Sequence, residues 1–305
     1  MNKELNTSFP ELSVVVVTLG GREYIPRCLS ALQKQEHAVR QEIIVPCDDR
    51  IFDVEALRQQ FPDVNFVSVK GRLTYAELRA IGFQKAQGKI IALTEDHCLP
   101  RPEWCANILK HHAETIAAVG GSVVKNGKDT RLNWAIYLSD FGRYMPPVKE
   151  GPSMYLTDCN VSYKREALTP IFDLWKKEFH ETTVNWTLQK QGKILLLAPD
   201  VVVDQQRSLT YQVAFRERYA FGRLFASTRV AATSSIKRLF YTCFSVFLPG
   251  LILARVAKNV FLKRRAIGTF FTSIPAILFL GIAWAWGEFI GYLSGRPATT
   301  LKPDY

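Results

Sequence analysis

Four short apolar runs, each followed by a stretch with helical spacing, leave the first part of this chain few folds to choose from. Leu12–Thr18 (LSVVVVT), Glu42–Val45 (EIIV), Val64–Val69 and Ile90–Thr94 are short and rich in β-branched residues. Runs of that length and composition read as buried strands. Between them, Glu23–Gln35, Asp53–Phe61 and Thr74–Gln87 carry helical periodicity, and Gly88 closes the last one. A strand–helix repeat of this kind builds a largely parallel sheet covered by helices on both faces.

In such sheets ligands sit beyond the carboxyl ends of the strands. Here those ends read Thr18-Leu19-Gly20, Cys47-Asp48-Asp49 and Glu95-Asp96-His97. Two of the three are acidic in a chain whose Lys and Arg (39) outnumber Asp and Glu (28). Carboxylates gathered there suit a cation or ribose hydroxyls, and an acid beside a second acid and a His can ligate a divalent ion.

Beyond Pro147 the pattern loosens. Tyr155–Lys164 reads as a strand crossing the open side of the site, so Asp158 and Asn160 are expected on one face. Glu178–Gln191 reads as a helix stopped by Gly192. Ile194–Leu197 and Val201–Val203 read as two short strands, and Tyr211–Val230 as a long basic, aromatic helix.

The C-terminal part changes character. Residues 239–254 and 266–287 are apolar runs, and about 20 such residues cross a bilayer core. The second qualifies alone; the first needs Arg255–Leu262 to cross. Basic residues flank the first run on both sides: Arg223, Arg229, Lys237 and Arg238 before it, Arg255, Lys258, Lys263, Arg264 and Arg265 after it. Basic flanks favour the cytoplasmic side. The first run therefore dips in and returns or lies along the interface; a two-helix hairpin and a pair of buried core helices are the alternatives. The same runs account for the positive charge, so a membrane surface is favoured over nucleic acid as the partner. The six cysteines are irregularly spaced and no apolar leader is visible, which fits a catalytic domain in a reducing cytoplasm. His97, Cys98, Cys105, His111 and His112 match no zinc spacing, and neither a dinucleotide fingerprint nor a P-loop is present.

Taken together, Leu12–Thr18, Glu42–Asp49, Ala76–Gly82 with Ala86-Gln87-Gly88, Glu95-Asp96-His97, and Phe179-His180-Glu181 with Gly192 resemble glycosyltransferase family 2. The resemblance covers about residues 11 to 230 and implies a GT-A nucleotide-diphospho-sugar transferase fold. It implies a catalytic domain over 1–230, followed by a membrane-associated region over 231–305. It further implies inverting transfer from a nucleotide-sugar donor; the apolar runs suggest a membrane lipid, lipid-linked molecule or cell-surface glycan as acceptor, and their basic flanks and the cysteines point to the cytoplasmic face of the cell inner membrane. On that footing Thr18, Asp48 or Asp49, Arg79 and Asp96 bind the donor. Glu95 and His97 hold Mn²⁺ or Mg²⁺, Asp158 and Asn160 border the sugar or acceptor, and Glu181 or His180 is the base. His97 stands where the family carries an acid, which puts metal dependence in question. A sugar nucleotidyltransferase and a non-catalytic membrane scaffold are the rival readings.

Overall fold

The computed structural model describes residues 9–18, 21, 23–37, 39–48, 52–71, 73–230 and 234–294, with the backbone alone at Thr228. In chain order the elements are β1 (Leu12–Val17), α1 (Ile25–Gln33), β2 (Gln41–Asp48), α2 (Val54–Gln60), β3 (Val64–Val69), α3 (Tyr75–Lys85), β4 (Ile90–Glu95), β5 (Cys98–Pro100), α4 (Trp104–His111) and β6 (Ile116–Lys125). After α5 (Arg131–Phe141) come β7 (Gly151–Pro152), β8 (Asn160–Lys164), α6 (Arg165–Leu168), α7 (Phe172–Trp175), α8 (Glu181–Lys190) and β9 (Ile194–Gln205). Helices α9 (Tyr211–Val230), α10 (Ser235–Phe244), α11 (Leu248–Lys263) and α12 (Ile267–Ser294) follow.

These elements form two compact units. Among the described residues, the first comprises residues 9–124 together with Val148–Gln205, and the second comprises Lys125–Pro147 together with residues 206–294. Helix α9, grouped with the catalytic domain in the sequence reading, packs on α12 in the second unit.

The first unit is built on one sheet ordered β3-β2-β1-β4-β8-β6-β9-β5, with β7 on β9. Strands β3, β2, β1 and β4 are parallel, as the repeat predicts, and β8 runs antiparallel to β4. All six side chains of β1 are buried, so β1 is a central strand that needs an apolar run rather than an alternating one. A polar bolt sets the level of β4 against it. Ser13 Oγ accepts the backbone N–H of Gly88 at 2.7 Å and donates to Glu42 Oε1 at 2.5 Å, while Glu42 also takes the N–H of Gln87 at 2.6 Å. A Cβ at Gly88 would strike the Ser13 backbone, so the residue ending the α3–β4 turn has no side chain. Helix α3 starts at a capping box in which Thr74 and Glu77 exchange side-chain and backbone bonds.

Two expectations change. The strand expected over Tyr155–Lys164 begins only at Asn160, because Thr157–Cys159 form a tight turn with a Thr157–Asn160 bridge. The two short strands expected around Ala198-Pro199-Asp200 are one continuous strand, β9, whose two ends pair with different partners, β7 and β5.

In the second unit, Ser235–Lys263 and Ile267–Ser294 are each long and apolar enough to cross a membrane, at 29 and 28 residues. The first continues through Pro249-Gly250, since proline is tolerated in the first turn of α11.

Candidate active site

The parallel order puts the carboxyl ends of β1, β2 and β4 on one edge of the sheet. Val17 lies beside Glu95, and the N–H of Asp96 donates to the Val17 carbonyl at 3.0 Å. Thr18 and Asp96 are fully buried at that edge, and Asp48 ends β2 two strands away from β4. Asp49 and the Leu19-Gly20 pair lie outside the described residues.

Arg79 is the hub. It projects from the second turn of α3 and is buried. Its Nη2 donates to Glu95 Oε1 at 3.1 Å and to Asp158 Oδ2 at 2.5 Å. Asp158 is brought there by its turn, since Thr94 Oγ on β4 donates to the Cys159 carbonyl at 3.0 Å. Burial works against the guanidinium's charge, yet Asp158, Glu95 and Glu181 together hold it more firmly protonated than usual. Burial pushes the Asp158 carboxyl up, Glu95 and Glu181 add to that, and Arg79 opposes it. The Arg79 Nε is buried and has no hydrogen-bond partner among the described residues, so an incoming acceptor atom would complete it.

Glu181 is close enough to this cluster for its charge to be felt there. The segment before α8 is pinned by Phe179, whose N–H donates to the Ala76 carbonyl at 2.9 Å and whose ring stacks on Phe83 at 4.1 Å. That fixes the first residue of α8, Glu181, near enough for its charge to act on both Arg79 and Asp158. Thr182 Oγ donates to Glu181 Oε1 at 2.5 Å. His180 faces another way, with Nε2 at 3.3 Å from the half-exposed Glu178 carboxylate.

His97 lies between two carboxylates. Its Nδ1 is 3.3 Å from Asp96 Oδ1 and its Nε2 is 3.2 Å from Glu95 Oε2. A neutral imidazole carries one N–H, so one of these nitrogens turns a lone pair toward a carboxylate unless a second proton or a cation sits there. With Asp96 orienting Nδ1–H, Nε2 and Glu95 Oε2 make a pair of donors for a divalent ion. Cys98 Sγ lies within 4.8 Å of both. Burial pushes its thiol up, and a soft sulfur suits the hard ions Mg²⁺ and Mn²⁺ less well than the carboxylate and imidazole do. The donors present therefore fit a divalent cation that accepts an imidazole, Mn²⁺ more readily than Mg²⁺.

Asn160 is not part of this constellation. It is fully buried, accepts from Trp104 Nε1 at 2.9 Å, and donates to the carbonyls of Ser122 and Val201, each at 2.9 Å. The turn at Thr157–Cys159 breaks the alternation that would have set it beside Asp158. Two neighbours of the site were not foreseen. Tyr24 meets His97 edge-on at 6.4 Å, and Cys28 donates to the Glu95 carbonyl at 3.9 Å. Both lie on the apolar face of α1 and its preceding turn, the only signal the sequence offered. The cysteines and histidines considered for zinc scatter: His111 bonds Asp200 at 2.6 Å and His112 bonds Ser162 at 2.8 Å.

The sequence model of glycosyl transferase family 2 matches residues 13–172. No curated protein matches the chain by sequence. Among solved structures, the fold is similar to the mannosyltransferase PcManGT from Pyrobaculum calidifontis, solved in complex with GDP-Man and Mn²⁺. The TM-score is 0.57 at 17% identity, covering 92% of this chain and 88% of that one.

Proposed function

The chain belongs to glycosyl transferase family 2, and from that premise we propose that it transfers a sugar, with inversion, from a nucleotide-diphosphate donor to a lipid-linked or cell-surface acceptor at a membrane. It is a glycosyltransferase with a GT-A-type sheet and a nucleotide-sugar donor. The observation that carries the finer reading is the pairing of Glu95 and Asp158, from separate segments, with the buried Arg79 guanidinium at 3.1 and 2.5 Å, with Glu181 close enough for its charge to act on the same group.

In this reading Thr18 and Asp48, or Asp49 in place of Asp48, receive the nucleoside, and the Nε of Arg79 takes a donor phosphate oxygen. Glu95 and His97 hold the divalent cation, as the neighbour's Mn²⁺ suggests, with Asp96 fixing the imidazole. When bound, the ion supplies charge that stabilises the departing diphosphate. Glu181 takes the proton of the acceptor hydroxyl as its oxygen bonds the anomeric carbon. The bond from that carbon to the donor phosphate breaks on the opposite side, so the configuration inverts. Glu181 is preferred to His180 as base because its charge reaches the hub, whereas His180 pairs with Glu178. Asp158, released from Arg79 by the donor, is placed to take a sugar hydroxyl.

All six thiols are free, which supports a reducing compartment and hence the cytoplasmic face of the cell inner membrane. The test is a thermal-shift screen of UDP-, GDP- and dTDP-sugars with and without Mn²⁺, followed by transfer assays of E95A and E181Q. Stabilisation by one donor, with turnover lost in both variants, supports the reading. Undiminished turnover in both overturns the site, and pyrophosphate release from a nucleoside triphosphate would favour a nucleotidyltransferase.

A further inference from the structure

The second unit contains a conflict between composition and packing. Helix α12 has no charged side chain from Ile267 to Gly287, as a membrane-crossing helix should. Yet α9 runs along it at backbone contact. A Cβ at Gly222 would collide with the Trp284 carbonyl, one at Gly287 with the Tyr219 carbonyl, and one at Gly291 with Ala226. Tyr211 and Phe215 both pack on Phe279, at 5.4 and 5.6 Å between ring centres. The stretch of α9 from Tyr211 to Ala226 therefore lies level with Phe279–Gly291 of α12, and that stretch carries Arg216, Glu217, Arg218 and Arg223. Glu217 pairs with Arg207, and Arg218 with Asp140 of α5, but Arg216 is exposed. If α12 crossed the hydrocarbon, this charged helix would cross beside it. Each uncompensated charge at mid-bilayer costs about 2.5–3.5 kcal/mol even on the most lenient scale.

The other side of the unit has the opposite character. Along α10 and α11 the exposed residues recur every three or four positions: Ile236 (83% exposed), Phe240, Cys243, Phe247 (65%), Leu251 and Ala254. Thr242, Ser245, Val256 and Val260 are buried on the opposite face. Ile282, Trp286 and Leu293 of α12 are exposed as well. Between Arg238 and Arg255 lie 16 residues (239–254), roughly 24 Å of helix at 1.5 Å each and short of the ~30 Å core. Cations bracket this apolar stripe: Lys237 and Arg238 at one end, Arg255, Lys258, Arg264 and Arg265 at the other.

We infer that the second unit is an in-plane anchor: α10, α11 and α12 press their exposed apolar faces into one leaflet of an anionic bilayer, and neither apolar helix crosses it. Helices α5 and α9 stay on the water side, where the exposed Arg216 remains hydrated. The bracketing Lys and Arg side chains meet lipid phosphates, the pattern of an amphipathic interfacial element rather than a span. This rests on the membrane-attachment part of the proposed function and commits it to one geometry.

The test uses the full chain in a C243S background, because the other five cysteines are buried. Single cysteines S235C and R265C, one at each end of Ser235–Lys263, are treated with a membrane-impermeant maleimide in spheroplasts of expressing cells, before and after lysis. An in-plane anchor leaves both unlabelled until lysis, and then both react alike. Labelling of one position from outside while the other needs lysis overturns the inference. A parallel flotation assay with phosphatidylcholine vesicles, with and without phosphatidylglycerol, separates the two claims. Flotation that rises with phosphatidylglycerol and falls with salt is expected. Replacing Arg264 and Arg265 by Gln should lower anionic-vesicle binding about thirtyfold, at roughly 1 kcal/mol per cation. Protein that floats on neither vesicle refutes attachment itself, whereas protein that floats but labels from opposite sides refutes only the in-plane geometry.

Discussion

The two units treat the same kind of side chain in opposite ways. In the first, the valines of β1 are wholly buried and the charged groups of the site are paired with one another around Arg79. In the second, Ile236, Leu239, Phe240, Val246 and Phe247 are all at least 60% exposed, while the ion pairs Arg207–Glu217 and Arg218–Asp140 are largely sheltered. A water-soluble core explains the first pattern. The second fits the membrane-facing surface proposed above, since monomeric soluble proteins rarely show so many large apolar side chains together. Substitutions in each unit should therefore fail for different reasons.

The largest effect is expected at Arg79. R79M leaves Glu95 and Asp158 as uncompensated, mostly buried carboxylates, which should cost about 3–5 kcal/mol of stability, read by chemical denaturation, and should abolish donor binding. Next is Asn160, whose three buried bonds serve the core. N160L should lose about 2–4 kcal/mol, since it strands the Trp104 N–H and two carbonyls, while the folded fraction keeps its donor affinity. A large loss of affinity there would return Asn160 to the site. In the second unit, G287L forces the α9 and α12 backbones apart. About 1–3 kcal/mol is expected from overpacking, read as earlier melting of the helical signal, with donor affinity unchanged.

The smallest effect near neutral pH is a pH dependence arising in the first unit. Burial, with Lys164 nearby, pushes His112 down to about 3, whereas it titrates near 6.5 when unfolded. The unfolded chain thus takes up a proton between those values and the folded chain does not. The His112 contribution to stability should therefore fall as pH drops below about 6.5, by at most ~1.4 kcal/mol per unit, while Asp158, whose carboxyl is pushed up, acts in the opposite sense; H112Q should remove the first contribution and leave the second.

Much of the first unit was legible because its signals are local. The β-branched runs, the helical spacing of Thr74–Gln87 and the glycine at 88 each declare an element within a few residues. The strand ends then follow from parallel order, which is why Thr18, Asp48 and Glu95 could be named as candidates. What stayed hidden is pairing across distance. Nothing near Arg79 says that Asp158, 79 residues on, is its partner. Nothing in Tyr155–Lys164 says that a turn will aim Asp158 at the site and bury Asn160 behind it. The extent of the second unit was hidden for the same reason. Helix α9 belongs with α12 through glycines at 222, 287 and 291, whose meaning depends on which backbone lies opposite.

Single-turnover transfer by E181Q, measured beside donor binding by calorimetry, addresses the central claim most directly. If Glu181 faces the Arg79 cluster as the base, the variant should bind the donor within a few-fold of the native affinity and transfer about a thousandfold more slowly, in the range general bases supply. Transfer at the native rate, or a loss explained wholly by weaker donor binding, would contradict it.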